Sequence, residues 1–297
     1  MAFNNIIGND KNKSLLCNAI ENNNILHSYM FYGVEGIGKL LFAKEFSKMI
    51  FCEQEHDKPC NKCVKCIQFD SSNNPDFQII KPDGKVIKID QIRNMQEKVQ
   101  EKPMGAQKKV FIIQDAEKMT KEAQNCLLKT LEEPPSYIVI ILVVSNESSI
   151  LNTVKSRCMK IKFENLKNQE IEQYFQKNNI DMDKNLIELC DGSIGKAIML
   201  NDNRELYIRI INIIKNLPNK DFLNILEIAE PIYKEKENIL EILDYFNIIL
   251  YNMYTQNNDI RYLNGINDVE ETKKRFIANS NFDMTLDNLF IKLIDKF

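Results

Sequence analysis

Two groups of residues in this chain have types and spacings that could do chemistry. The first is Gly33, Gly36, Gly38 and Lys39 in the stretch YGVEGIGKL. Gly33, Gly38 and Lys39 fit the phosphate-binding pattern G-x-x-x-x-G-K-[ST] at every position but the last. In such a loop, glycine-permitted backbone lets successive N–H groups converge on a phosphate, the following helix adds the positive end of its dipole, and the lysine reaches the outer phosphates. Leu40 occupies the final position, so the hydroxyl that would hold Mg²⁺ is missing. The second group is Cys52, Cys60, Cys63 and Cys66. Two consecutive C-x-x-C steps with one further thiol can close a tetrahedral thiolate cage that leaves no ligand position open, which describes a structural zinc site. His56 lies among them as a substitute ligand, but the cysteines already complete the shell. Such a cage would fold a surface excursion too poor in apolar residues to fold alone.

Further polar residues stand at the ends of apolar runs. Asp115 follows the run from Lys109 to Gln114, the place from which a carboxylate would hold Mg²⁺ through water. In a working ATPase a glutamate base comes next; here Ala116 follows and Glu117 is one residue late, and a slip of one residue at a strand end turns a side chain the other way. Ser145 and Asn146 end the run Tyr137 to Val144, within reach of a phosphate or its attacking water. His27 and the basic run Lys273-Lys274-Arg275 are read as a structural hydrogen-bonder and a solvated face.

The elements that must position these groups alternate. Residues 4 to 27 form a lead-in and an amphipathic helix; Ser28 to Tyr32 is a strand entering the glycine loop, and Lys39 to Phe51 a helix leaving it. Strands follow at Pro75 to Ile80, Lys109 to Gln114 and Tyr137 to Val144, with helices at Ile89 to Lys102 and Lys118 to Glu133 between them. Tyr137 to Val144 is apolar without a break, as in a parallel sheet covered on both faces. This alternation predicts an α/β sheet with right-handed crossovers and a cleft at the carboxyl ends of the strands. The expected division is an α/β domain over 1–163 with the zinc insertion at 52–66, a small helical lid over 164–203, and an all-α domain over 204–297. Within the last, helices are expected at Leu206 to Leu217, Asp221 to Ala229, Lys236 to Asn257, Val269 to Ser280 and Thr285 to Lys296, with breaks at Pro218, Pro231 and Gly265.

The bulk properties narrow the function classes. The longest apolar run is far short of the roughly 20 residues that cross a bilayer, and MAFNNIIGND lacks a signal-peptide pattern, so a cytoplasmic chain with no membrane partner is expected. A net charge of −3 argues against a chain that coats nucleic acid through its overall field. In such a compartment cysteines serve as metal ligands or free thiols before disulfides, and Cys17, Cys126, Cys158 and Cys190, being scattered, are read as small buried hydrophobes.

HSYMFYG leading into the loop, the cysteine insertion, AQNCLLKTLEEPP at 123–135 and TVKSRC at 153–158 together make the chain resemble the delta-prime-type subunits of bacterial DNA polymerase III clamp loaders, an AAA+ family. The resemblance implies a pentameric ring of tau/gamma motor subunits, a delta and a delta-prime, with nucleotide held between neighbours and an arginine supplied to each site in trans. It makes Arg157 the candidate arginine finger for an adjacent motor subunit, and the all-α domain a collar that holds the ring together. Fingers of this kind supply about 10³ to 10⁵ in rate. It also makes the departures informative. Leu40 lacks the Mg²⁺ ligand, Ala116 lacks the base, and Gly195 in the lid sequence GSIGKA stands where motor subunits place a sensor arginine, with Lys196 adjacent. The implied function is a non-hydrolysing stator, without ATPase or polymerase activity of its own and with ATP bound weakly or not at all. It helps open the sliding clamp and load it on primer-template DNA. The alternatives are an active ATPase subunit using Lys39 and Asp115, and a zinc-dependent nucleic-acid module centred on Cys52 to Cys66, against which the acidic net charge weighs.

Overall fold

A sheet of five parallel strands carries the N-terminal part of the chain: β1 (Ser28–Tyr32), β2 (Phe77–Ile80), β3 (Lys109–Ile113), β4 (Ile138–Val144) and β5 (Met159–Lys162), in the order β2-β3-β4-β1-β5. The computed structural model describes residues 3–4, 6–182, 184–217, 226–227 and 229–297, and it divides into two compact units, Met1–Ile180 with Asp191–Gly195 and Asp181–Cys190 with Lys196–Phe297.

In the first unit β4 lies between β3 and β1, and its seven residues are all buried. Ile138, Ile140, Leu142 and Val144 face one core cluster and Val139, Ile141 and Val143 the other, because successive side chains leave opposite faces of a strand. This is why the run is apolar throughout instead of alternating. Helices α1 (Asp10–Glu21) and α2 (Lys39–Phe51) cover the second face, with Phe42, Phe46 and Met49 packed on Tyr29 and Phe31. After α3 (Val64–Asp70) in the cysteine insertion, α4 (Ile89–Gln100) and α5 (Lys121–Glu132) cover the first face through Ile92, Met95, Val99, Leu127 and Leu131. Each such side chain taken out of water contributes about 1.5–3 kcal/mol. The short α6 (Asn152–Lys155) leads into β5, and α7 (Asn168–Lys177) follows.

β5 is the one strand missing from the sequence expectation. Its signal is present as Met159, Ile161 and Phe163 alternating with Lys160 and Lys162, but it is short, and lysines suit the sheet edge it occupies beside β1. Asp76, just before β2, is 1% exposed and its carboxylate accepts the backbone N–H groups of Met104, Gly105 and Ala106 at 2.8, 3.1 and 3.1 Å, tying the loop after α4 to the sheet. With the strands parallel, the segments after β1, β3 and β4 leave the same edge of the sheet.

The second unit is helical among its described residues: α8 (Lys184–Ile187), the body of α9 (Ile194–Asp202), α10 (Arg204–Asn216), α11 (Ile239–Asn257), α12 (Ile260–Ile277) and α13 (Phe282–Lys296). The expected helix from Asp221 to Ala229 and the break at Pro218 fall mostly outside the described residues. Pro231 opens a short 3₁₀ turn, Glu230–Lys234, as a residue without an N–H can. Gly265 does not break a helix. It lies inside α12, where an added methyl would stand 3.2 Å from Leu293 and 3.4 Å from Leu250, so the missing side chain lets three helices approach closely. The apolar stripe of α11 is core: Ile242, Leu243, Phe246 and Leu250 are buried. The basic run is neutralised locally, Lys273 by Asp244 at 2.6 Å and Arg275 by Glu271 at 2.6 Å. Among the described residues no helix is long and apolar enough to cross a membrane.

Candidate functional site

The glycine loop follows β1 and runs into α2, the setting a phosphate cradle requires. Gly36 and Gly38 have φ of 77° and 91°, a region open to glycine at little cost. Leu40 packs against the core beneath α2. The loop does not present an open cradle. Lys39 is 4% exposed, and its ammonium donates to the carbonyls of Gly33 at 2.7 Å and Val34 at 2.6 Å and to the Ser145 hydroxyl at 3.1 Å. An ammonium has three donors, so all are spent inside the loop. Burial pulls its pKa below the ordinary lysine value, opposed by the charges of Glu117, Glu35 and Asp115 in that order.

The turn from Gly192 to Gly195 is docked on the same loop. The Gly195 N–H donates to the Gly36 carbonyl at 2.9 Å, and the Ser193 hydroxyl, fully buried, donates to the Glu35 carbonyl at 2.8 Å. A methyl added to Gly195 would stand 2.8 Å from the Gly36 Cα, and one added to Gly36 would stand 2.4 Å from the Ser193 Oγ. Two backbones meet where sequence reasoning saw only the loss of an arginine.

Beyond β3 the chain leaves strand geometry. Asp115 has φ 51° and ψ 50°, and Ala116–Lys118 form a 3₁₀ turn. The two-residue strand period therefore stops before Glu117. Ala116 is buried in the core, while Glu117 acts on Lys39 more strongly than Asp115 does and has one buried carboxylate oxygen without a hydrogen-bond partner. Asp115 itself pairs with Lys118 at 3.3 Å.

Arg157 sits just past α6. Its backbone carbonyl accepts the hydroxyl of Ser28, 2% exposed at the start of β1, at 2.6 Å. Its guanidinium donates to the Thr153 carbonyl at 2.8 Å and pairs with Glu132 at 2.6 Å. Gln124 braces the segment that leads there: its amide nitrogen donates to the carbonyls of Met119 at 3.2 Å and Ser149 at 3.0 Å, and its oxygen accepts the Leu151 N–H at 2.8 Å. Ser28, Gln124 and Glu132 went unremarked as neighbours of Arg157 and its segment, although all three lie in the HSYMFYG and AQNCLLKTLEEPP stretches. For Ser28 and Gln124 the signal is a polar residue at a buried position, visible only once burial is known; Glu132 is exposed and only its pairing with Arg157 singles it out. Burial pushes the neighbouring Cys158 thiol up to about 11, and Cys126 and Cys190 are likewise free and at least partly buried.

The four clustered cysteines come together. Their sulfurs all lie within 4.8 Å of one another. A tetrahedron of thiolates at about 2.3 Å from zinc has its sulfurs roughly 3.8 Å apart, so the donor set and its spacing fit the ion. Backbone N–H groups of Cys60, Cys63 and Cys66 point at the sulfurs of Cys52, Cys60 and Cys63 at 3.3, 3.3 and 3.4 Å. Hydrogen bonds from the N–H groups of Lys62 and Cys63 pull the Cys60 thiol down to about 6, while burial pushes Cys52 and Cys66 up. The cluster is fixed to the sheet through α3, where the Phe69 ring packs tilted against Phe77 with centroids 4.5 Å apart and Asp70 pairs with Lys48 at 2.7 Å. His56 is not a member of the cluster.

Residues 8–167 match the family described as DNA polymerase III, delta subunit. The DNA polymerase III subunit delta' of Bacillus subtilis is 31% identical over 229 residues, covering 75% of this chain and 70% of that protein. The chain belongs to the delta-prime-type clamp-loader family. The matched span holds the glycine loop, the cysteine cluster, Asp115, Glu132 and Arg157. The chain is also similar to DNA polymerase III subunit gamma/tau of Mycoplasma pneumoniae, 32% identical over 208 residues that cover 67% of this chain and only 30% of that longer protein. Among solved structures, a DNA polymerase III gamma subunit-related protein of Thermotoga maritima superposes with a TM-score of 0.51 at 18% identity, covering 95% of this chain and 99% of that one, a likeness of fold.

Proposed function

We propose that this chain is the non-hydrolysing delta-prime-type stator of a DNA polymerase III clamp loader. It completes a ring with tau/gamma motor subunits and a delta subunit, and it supplies Arg157 to the ATP site of a neighbouring motor subunit while the sliding clamp is loaded on primer-template DNA. The observation that carries this reading is the state of Lys39, whose donors are all bonded to the chain's own loop while Gly195 is packed on Gly36. For phosphate to bind between Gly33 and Lys39, both arrangements would have to open, and no Ser or Thr follows to hold Mg²⁺. Arg157, by contrast, remains a third exposed and braced from behind by Ser28. In this reading the three parts 1–163, 164–203 and 204–297 serve as an AAA+ body, a small helical lid whose Gly192–Gly195 turn is docked on the loop, and a ring-forming collar, and the protein works in the cytoplasm. The residues that would hold zinc are Cys52, Cys60, Cys63 and Cys66. Bound there, zinc supplies a fold-stabilising crosslink, and the cage has no open position for catalysis.

The test is reconstitution with motor and delta subunits. Arg157→Ala should leave the subunit folded and assembled while lowering the clamp- and DNA-stimulated ATPase of the complex by at least tenfold. Unchanged ATPase rejects the finger. A second reading, an ATPase using Lys39 and Asp115, is favoured by the placement of Glu117, whose unpartnered oxygen and effect on Lys39 put a carboxylate near the loop after all. Turnover by the isolated chain that disappears in Lys39→Ala would establish that reading and displace the stator.

A further inference from the structure

We propose that Glu132 is the positioning residue that parks Arg157 when no neighbouring nucleotide engages it, so that the LEEPP segment of this chain sets how readily its finger is released; this rests on Arg157 acting in trans. The pair is direct: a terminal nitrogen of Arg157 lies 2.6 Å from a Glu132 carboxylate oxygen. The other terminal nitrogen donates backward to the Thr153 carbonyl at 2.8 Å, one turn earlier in the chain, and lies 3.4 Å from the Ser156 hydroxyl. Both terminal nitrogens are thus held by this chain's own groups. A guanidinium meets a phosphate best when its paired N–H donors face the anion as a fork, and here one arm of that fork is turned to Glu132.

The two elements that make the pair are held rigidly. Glu132 is the last residue of α5, whose Leu127 and Leu131 are buried in the core. Arg157 has its carbonyl fixed by Ser28, and Gln124 of α5 bonds the loop entering α6 on both its amide atoms. The distance between the two side chains is therefore set by the fold, while the side chains themselves are exposed, Arg157 by 34% and Glu132 by 50%. An exposed ion pair is a weak one, screened by solvent and salt, and that weakness is what a latch needs. A triphosphate anion offers more negative charge and a matching bidentate geometry, so the guanidinium exchanges carboxylate for phosphate when a motor subunit brings nucleotide to it. Without nucleotide, Glu132 neutralises a charge that would otherwise attract any phosphate, including those of DNA.

The sign of the effect separates parking from mere support. Were Glu132 needed to aim the finger, its loss would slow the neighbour's ATPase; as a latch, its loss speeds the unstimulated reaction. The experiment measures steady-state ATPase of the reconstituted complex, with and without clamp and primer-template DNA, for wild type, Glu132→Gln, Arg157→Ala and the double variant. Glu132→Gln keeps size and hydrogen-bonding groups and removes the charge, and assembly is checked by size exclusion. The expected result is a rise of about two- to fivefold in unstimulated kcat, a range set by the small worth of an exposed pair, little change in the fully stimulated rate, and no rise when Arg157 is already alanine. Glu132→Gln activity equal to or below wild type, with Arg157→Ala still deficient, overturns the latch and leaves the finger standing. A rise that persists in the double variant also overturns it, because the effect then bypasses Arg157. If Arg157→Ala is itself fully active, the finger falls and the latch with it.

Discussion

Lys39 and Gly195 change the meaning of the glycine loop at the level of single residues. A lysine with free donors would mark a phosphate site; one bonded to Gly33, Val34 and Ser145 acts as an internal strut of the loop. Gly195 explains why no sensor arginine stands there, since a side chain of any size would meet the Gly36 backbone. Gly195→Arg is therefore expected to lower stability by about 1–3 kcal/mol, the usual cost of forcing atoms into packed space, without creating nucleotide binding. Chemical denaturation and a fluorescent-nucleotide titration check both halves. An unchanged denaturation midpoint would show that the turn can leave the loop at no cost.

At the scale of elements, α5 does more than cover the sheet. Its Gln124 ties the backbone at Met119 to that at Ser149 and Leu151, and its final residue faces Arg157, so one helix from the AQNCLLKTLEEPP stretch sets both the backbone and the charge around the proposed finger. Gln124→Ala leaves the Leu151 N–H and two carbonyls without partners, and an orphaned buried group costs about 1–3 kcal/mol. Faster amide exchange across residues 147–157 is expected, with a loss of complex ATPase smaller than that from Arg157→Ala. Exchange no faster than in the wild type would mean that α5 braces this segment through its apolar contacts alone.

For the molecule as a whole, the two ligand questions have opposite expected answers in one measurement, the thermal midpoint of the intact chain. A ligand that binds only the folded state at 100 times its Kd adds about 2.7 kcal/mol. MgATP at millimolar concentration should leave the midpoint where it is, because the lysine and the lid turn already fill the loop. Removing metal with a strong chelator should lower it, since a thiolate cage contributes its binding energy to folding, and zinc but not magnesium should restore it. A chain insensitive to chelation in which all eight thiols titrate after denaturation, rather than only the four outside the cluster, would argue against the zinc cage.

The α/β alternation, the loop, the cysteine cluster and the family were legible in the sequence because each depends on local spacing: a two-residue strand period, a helical period, or glycines and thiols a few positions apart. β4 could be read from its composition alone, since a strand buried on both faces has no polar positions to interrupt it. What failed to show were the places where distant segments meet. Gly265 had the sequence of a helix break and the role of a helix contact, because only its neighbours Leu250 and Leu293 make a missing side chain useful. Glu117 read as out of register, because a strand period was extended past Asp115, where the backbone had already turned. By itself the sequence determined the architecture of the first unit and the residue types available for chemistry. Tertiary structure alone decided which of them were spent on the chain itself: Lys39 turned onto the carbonyls of its own loop and onto Ser145, Gly36 met by Gly195, and Arg157 paired with Glu132, because which donor meets which acceptor depends on the folded backbone and not on spacing.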